Sequence, residues 1–360
     1  MVRIPTVSLK ETYTLLRCIK KHVVIVAGAV LGIAVVHAPV WAQLKPELDA
    51  KVPFYQPLTQ VKGRLHISGS DSMKPLLSAL LDELKRRHNG IKFSLTGEGS
   101  QTGFTDLLEH RTEVAAMSRR MTSSEIAEFV KEYGHEPAEV PVAIDALAIF
   151  VQQNNPLTGL SLDELDSVFC VERRRGLNYP VTSWGLLGLT DEWFDAPIRP
   201  YGRNGKSGTS YFFREEVCKG GTFVPQMVGG HGPASVVMDV VKDPQGIGFS
   251  GIGYQTSMVK AVPIAAVKGG RYVEASFQSV TDGSYPLRRN IFLYVARAPK
   301  TEPDPSVREL VRFVLSAQGQ QIALDHGYFP LPLTEITRVL SKWSPSVKSA
   351  AVEGSSKPRE

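Results

Sequence analysis

Leu65-His66-Ile67-Ser68-Gly69-Ser70-Asp71-Ser72-Met73 is the stretch that decides the fold. Leu65 to Ser68 is a short strand, and residues 69–72 form a turn of small polar residues. Met73 to Arg87 then carries apolar residues at 73, 76, 77, 80, 81 and 84, which is helical spacing. A strand that passes through a tight turn straight into a helix is the opening of a parallel α/β unit.

The same pattern recurs downstream. Ile91 to Leu95 alternates as a strand, Gly97-Glu98-Gly99-Ser100-Gln101-Thr102-Gly103 turns, and Phe104 to Glu109 continues as a short helix. Val114 to Met117 is a third strand, with Ser118-Arg119-Arg120 at its C-terminal end. Thr122 or Ser123 caps a helix running to Lys131. Ala143 to Gln152 is a long apolar strand, ended by Asn154-Asn155-Pro156. A second region follows: a helix over Leu162–Phe169, a strand over Ile198–Tyr201, and a helix over Ser210–Val217. Beyond these come a helix over Ser235–Val241, strands over Gly246–Ser250 and Asn290–Val295, and one amphipathic helix over Ser306–Leu324. Such alternation without long loops predicts an α/β protein with mostly parallel sheets flanked by helices.

The chain has 360 residues, and its net charge of +5 is unevenly spread. Arg3, Lys10, Arg17, Lys20 and Lys21 against Glu11 place +4 in residues 1–42, so only +1 is left for the other 318. A nearly neutral body excludes a nucleic-acid binder held by a broad basic surface. Val23 to Val36 is an uncharged apolar run behind basic residues, followed by Val40-Trp41-Ala42-Gln43 with small residues at a cleavage site. Residues 1–42 therefore read as a signal peptide, or as an N-terminal anchor if uncleaved, and the body is exported, tethered to the membrane in the second case. Residues 43–62 are a polar lead-in, and 344–360, rich in Ser, Lys and Pro, are a disordered tail. Cys170 and Cys218 remain in the mature chain. They could pair in an oxidising compartment or stay two independent buried thiols; spacing does not decide.

Three strand-to-helix turns, at 69–72, 97–103 and 205–209, are built from Ser, Gly and Thr. A helix N-terminus offers unpaired N–H groups and the positive end of its dipole, and small residues let an anion approach. One such turn is commonly a structural cap. Three at the C-terminal edge of a sheet point to a ligand, because open α/β sheets bind there. Arg203 ends its strand four residues before Ser207, and its planar fork suits a tetrahedral oxyanion held by Ser207 and Thr209. Two mimics fail. Gly202 to Ser207 approaches a nucleotide P-loop, but the first glycine would fall at Pro200. Gly248-Phe249-Ser250-Gly251 begins like a nucleophile elbow, but the final glycine is Ile252. No zinc spacing and no catalytic dyad emerge from the histidines, so neither a metal nor another cofactor is expected.

Taken together, several segments resemble the periplasmic phosphate-binding proteins of ABC phosphate importers, which are type II periplasmic binding proteins. They are Gly69 to Ser72, Gly97 to Gly103, Ala116 to Arg119, Arg203 to Thr209, Gly246 to Tyr254, and Phe313-Val314-Leu315-Ser316 through Gly319-Gln320 to Gly327-Tyr328. The resemblance runs from about Leu65 to Pro332. It implies two α/β lobes joined by two crossing strands, with residues 63–148 plus 260–343 in lobe 1 and 149–259 in lobe 2. It further implies a monomer that closes on one phosphate and delivers it to membrane permease subunits. Carried over by position, the anion meets Asp71 and the Ser72 N–H, then Ser100, with Ser118 and Arg119 at the end of the third strand. From the other lobe come Arg203, Ser207, Gly208 and Thr209.

Two departures matter. The better-known members have an aspartate where this chain has Arg119, and it accepts the proton of hydrogen phosphate. They also have an aspartate two residues after the arginine, where this chain has Gly205. Selecting phosphate over sulfate needs an acceptor-only carboxylate. Asp71 is expected to take that role, standing where the better-known members carry threonine, with Asp145 in reserve and Arg119 as a second positive clamp. Two other function classes compete: a phosphohydrolase using the same cradle, and a surface or phosphate-sensing protein on the same fold.

Overall fold

A computed structural model describes residues 48–343. The leader over 1–42, the first part of the lead-in and the tail over 344–360 lie outside the described residues. The opening unit folds as its pattern predicts: β1 (Lys62–Gly69), α1 (Lys74–Arg87), β2 (Gly90–Gly97), α2 (Ser100–Leu108), β3 (Val114–Met117) and α3 (Ser123–Tyr133). β1 lies between β2 and β3 and is parallel to both. Helix α1 buries Leu76, Leu77, Leu80, Leu81 and Leu84 along one stripe. Each such leucine contributes roughly 1.5–3 kcal/mol by leaving water. At the start of α3, Thr122 and Glu125 form a reciprocal capping box.

The backbone of the molecule is β4 (Ala138–Gln152), a 15-residue strand buried along nearly all its length. Its first part pairs antiparallel with β11 (Arg288–Val295), which in turn pairs antiparallel with β3. Its second part pairs antiparallel with β8 (Gly246–Gly251) and β9 (Val259–Ala261). β8 continues into the parallel trio with β6 (Arg199–Arg203) and β7 (Val228–Gly230). Two half-sheets therefore share one strand, in the order β2-β1-β3-β11-β4-β8-β6-β7. The register shifts at Ile291/Phe292, where Phe292 lies opposite Pro141. Proline has no N–H to give to a ladder, and a bulge absorbs the missing bond. β4 is one crossing between the half-sheets. The return enters β11 beside it, where Leu147 N–H donates to the Leu287 carbonyl at 2.9 Å.

The second half-sheet is flanked by α4 (Leu162–Phe169), α5 (Gly208–Glu216) and α6 (Pro233–Lys242). A two-stranded ribbon of β5 (Leu160–Ser161) and β10 (Ile264–Ala265) joins it, so the chain stays on this side beyond residue 259. α7 (Phe277–Thr281) precedes the return. The single helix expected over 306–324 is two: α8 (Pro305–Val314) and α9 (Ala317–Asp325). Ser316 starts the second by accepting from Gly319 N–H at 3.2 Å, a cap hidden inside an unbroken apolar periodicity. α10 (Leu333–Trp343) closes the described chain. The described part of the lead-in is not loose: Val52, Tyr55 and Val61 are buried in the main core. No helix among the described residues is long and apolar enough to cross a membrane.

Candidate functional site

The three turns singled out in the sequence come together where the two half-sheets face each other. The first begins at Gly69, with φ of 135° and a virtual Cβ 2.1 Å from the Ala116 carbonyl oxygen. Only glycine fits there. The turn is then pinned by Ser70 N–H to Ala116 O at 2.8 Å. Its far end is held by two tyrosines, Tyr254 and Tyr328, whose hydroxyls donate to the Ser72 carbonyl at 3.1 and 2.7 Å. Burial pushes the Tyr254 hydroxyl up to about 12 and also raises that of Tyr328 well above its usual value, so both remain neutral donors.

The second turn sits against the third. Gly99 has φ of 129°, and a Cβ there would lie 2.3 Å from the Lys206 carbonyl oxygen. A Cβ on Gly208 would lie 2.2 Å from Ser100 Oγ and 2.4 Å from Ser118 Oγ. The N-termini of α2 and α5 are thus in backbone-close contact across the two half-sheets. Ser118 N–H donates to Ser100 Oγ at 3.0 Å, and the two serine hydroxyls lie 3.2 Å apart. Ser207 caps α5, accepting from the N–H groups of Thr209 at 3.2 Å and Ser210 at 3.5 Å.

Arg203, at the end of β6, is completely buried, and its Nη2 donates to Asp71 of the first turn. Its Nε and Nη1 are buried without a protein partner among the described residues. Burial pulls its pKa down and the Asp71 carboxylate opposes that. A guanidinium nevertheless stays charged at any ordinary pH. Unsatisfied N–H donors on a buried cation are costly unless an anion meets them. The carboxylate partner of this arginine comes from the first half-sheet rather than from its own turn, where Gly205 has no carboxylate to offer.

Two further arginines complete the picture. Arg119 is not free to act as the expected second clamp. Its Nη1 and Nη2 grip Glu125 at 2.6 and 2.7 Å, Nη2 also reaches Gln101 at 3.2 Å, and the guanidinium lies 4.6 Å from the Tyr211 ring centroid. The physical reason is that Glu125, in the first turn of α3, is itself buried and needs a cation. Arg289, on β11, is a buried residue that sequence reasoning missed. It pairs with Asp145 through Nε at 3.0 Å and Nη2 at 2.7 Å. It also donates to the Gly208 carbonyl at 3.2 Å and to Thr209 Oγ1 at 2.8 Å. Asp145, the reserve proton acceptor, is therefore engaged by Arg289. The signal for Arg289 was a charge at the mouth of an otherwise apolar strand; Tyr254 and Tyr328 lay inside quoted motifs but carried no assigned role.

The arrangement of α/β turns matches known proteins. A family model for a PBP superfamily domain matches residues 56–318. The phosphate-binding protein PstS of Pseudomonas aeruginosa is 40% identical over 285 residues, covering 79% of this chain and 88% of that relative. Protein SphX of Synechococcus elongatus is 27% identical over 291 residues, covering 80% of this chain and 83% of its own length. Among solved structures, an ABC-type phosphate transport receptor from Vibrio cholerae superposes with a TM-score of 0.58 at 23% identity, covering 74% of this chain and all of that one. That likeness shows the fold: a curled mixed sheet with flanking helices. On the family match and the 40% identity together, this chain belongs to the PstS-like periplasmic phosphate-binding proteins, within the PBP superfamily.

Proposed function

We propose that the chain captures inorganic phosphate between its two half-sheets and hands it to the permease subunits of an ABC importer. The observation that carries this is Arg203: a fully buried guanidinium with Nε and Nη1 unpartnered among the described residues, ringed by the hydroxyl-bearing turns at 69–72, 97–103 and 205–209. The anion would meet Arg203, the α5 N-terminus at Ser207, Gly208 and Thr209, the Ser100 and Ser118 hydroxyls, and the turn of Asp71 and Ser72. Asp71 supplies the carboxylate that accepts the phosphate proton while neutralising part of the Arg203 charge.

The reading is one of binding without turnover. Ser207 Oγ already accepts two backbone N–H groups, and a serine without a base is a poor nucleophile. The two halves act as lobes that open and close about β4 and the return into β11, with residues 259–265 moving with the second lobe. The chain is read as an exported monomer, acting outside the cytoplasm and on no nucleic acid.

The test is calorimetric titration of the refolded, ligand-stripped chain lacking residues 1–42, with phosphate and then with sulfate. Tight phosphate binding, lost in Arg203→Met, is expected. Absence of any heat with phosphate, or unchanged binding by Arg203→Met, would sink the proposal.

A further inference from the structure

Three hydroxyls beside the third turn, those of Ser100, Ser207 and Thr209, already accept an N–H. A hydroxyl has one proton and two lone pairs, so an oxygen that accepts a strong donor points its proton away from that donor. Ser207 Oγ accepts two backbone N–H groups, and Ser100 Oγ accepts from Ser118 N–H. Thr209 Oγ1 accepts from Nη2 of Arg289, which sits on the opposite half of the molecule and is only 4% exposed. The same guanidinium holds the Gly208 carbonyl through Nη1, lies 5.1 Å from the Phe212 ring centroid, and is oriented from behind by Asp145. Asp145, Arg289, Thr209 and Gly208 thus form a chain of charge-assisted bonds running from the first half-sheet into the N-terminus of α5.

We infer that Arg289 is a specificity-determining positioning residue that acts through Thr209. It occupies one lone pair of the Thr209 hydroxyl and so turns that hydroxyl's proton toward the site, and it clasps the first residues of α5 in the closed arrangement. The cradle is thereby presented as a set of donors suited to an oxyanion, with proton acceptance left to a carboxylate. This inference rests on the phosphate-binding reading. It adds to that reading a contact that exists only when the two halves meet, so its loss speeds release rather than capture.

Arg289→Lys keeps a cation opposite Asp145 but offers a point charge in place of a fork. Phosphate association and dissociation would be followed by stopped-flow fluorescence in the Arg289→Lys chain, with thermal melting of the ligand-free chain as a folding control. Dissociation is expected to quicken roughly tenfold or more, as for loss of a charge-assisted bond, with association within about twofold. The effect should persist in a Thr209→Ser background and shrink to within about threefold in Thr209→Val, because only serine keeps a hydroxyl to orient. Equal effects in both backgrounds would overturn the inference and leave the phosphate reading standing, as would wild-type dissociation in Arg289→Lys. If Arg289→Lys melts far below the unsubstituted chain, Thr209→Val in the native Arg289 background decides: unchanged dissociation there overturns the inference. A chain that binds no phosphate before any substitution would overturn both.

Discussion

Asp71 and Arg203 lie 132 residues apart in sequence and are joined as an ion pair between the two half-sheets. The arginine is fully buried and the aspartate only 17% exposed. One carboxylate oxygen accepts from the guanidinium, and in the proposed phosphate reading the other faces the ligand. Sulfate brings no proton, and a carboxylate facing it meets only repulsion. Asp71→Asn replaces one acceptor by an NH2 donor at constant size. Sulfate affinity should rise and phosphate affinity fall, narrowing the ratio of their dissociation constants roughly tenfold or more, on the scale of a charged hydrogen bond. Competition titrations read this directly, and an unchanged ratio would remove Asp71 from the role of proton acceptor.

Gly208 packs against the first half-sheet with no room for a side chain. Its virtual Cβ lies 2.2 and 2.4 Å from two serine oxygens and 3.0 Å from Ser100 Cβ. Those oxygens are not free to rotate away, being bonded to each other and to Ser118 N–H. Gly208→Ala should therefore hold the halves apart when the ligand is bound. Overpacking costs about 1–3 kcal/mol, which corresponds to roughly a five- to hundredfold loss in phosphate affinity. The ligand-free melting temperature should barely change if the free protein is open. Small-angle scattering should also show less compaction on adding phosphate than in the unsubstituted chain.

The local elements were legible because their signals are local. Val114–Met117 and Leu162–Phe169 fold with the predicted boundaries, since an apolar run bounded by turn residues needs no distant partner to be recognised. Arg203, Ser207 and Ser100 were legible as residues beside helix N-termini. What failed were statements about partners. Arg119 looked available for an anion until folding placed Glu125 against it. Arg289 and Thr209 are 80 residues apart, and nothing in either neighbourhood announces the other. The division of residues 306–324 turned on one serine choosing to cap, and periodicity is blind to that choice. Residues 260–265 pair with the second half-sheet, β9 with β4 and β10 with β5, a non-local pairing that short apolar runs do not encode.

Cys170 and Cys218 are joined by a disulfide, a question their spacing left open. Both are buried at the ends of α4 and α5, in the same core cluster as Phe213 and Phe249. Closing a segment of this size restricts the unfolded chain by about 4 kcal/mol in the chain-entropy model. Replacing both cysteines by alanine should lower stability by roughly 2–4 kcal/mol. Phosphate affinity well below the melting temperature should stay within about threefold, because neither sulfur touches the anion turns. Denaturant melts and titrations of the double variant provide the check; undiminished stability would mean that core packing alone fixes these helices.

His88 follows the end of α1 and sits in a buried chain of polar groups. Tyr55 hydroxyl donates to Glu309 Oε2 at 2.7 Å and lies 2.6 Å from His88 Nε2, while Val61 N–H donates to His88 Nδ1 at 3.4 Å. With the Tyr55 proton given to Glu309, Nε2 must be the protonated nitrogen of a neutral ring. A second proton would have to sit on Nδ1, against the Val61 N–H. Burial lowers the His88 pKa from its usual value, outweighing the nearby Glu309 carboxylate, which pulls the other way. Arg87 and Arg312 flank the same cluster, facing Tyr55. The unfolded chain therefore binds the extra proton first, and stability falls as pH drops below the ordinary histidine range. At pH 7 to 8 the contribution is fully present. Melting temperature should decline as pH falls below the ordinary histidine value of about 6.5, and His88→Gln, which cannot titrate, should flatten that decline while starting from a lower value at pH 7. A His88→Gln chain with the same pH slope as the unsubstituted one would place the acid sensitivity in another group.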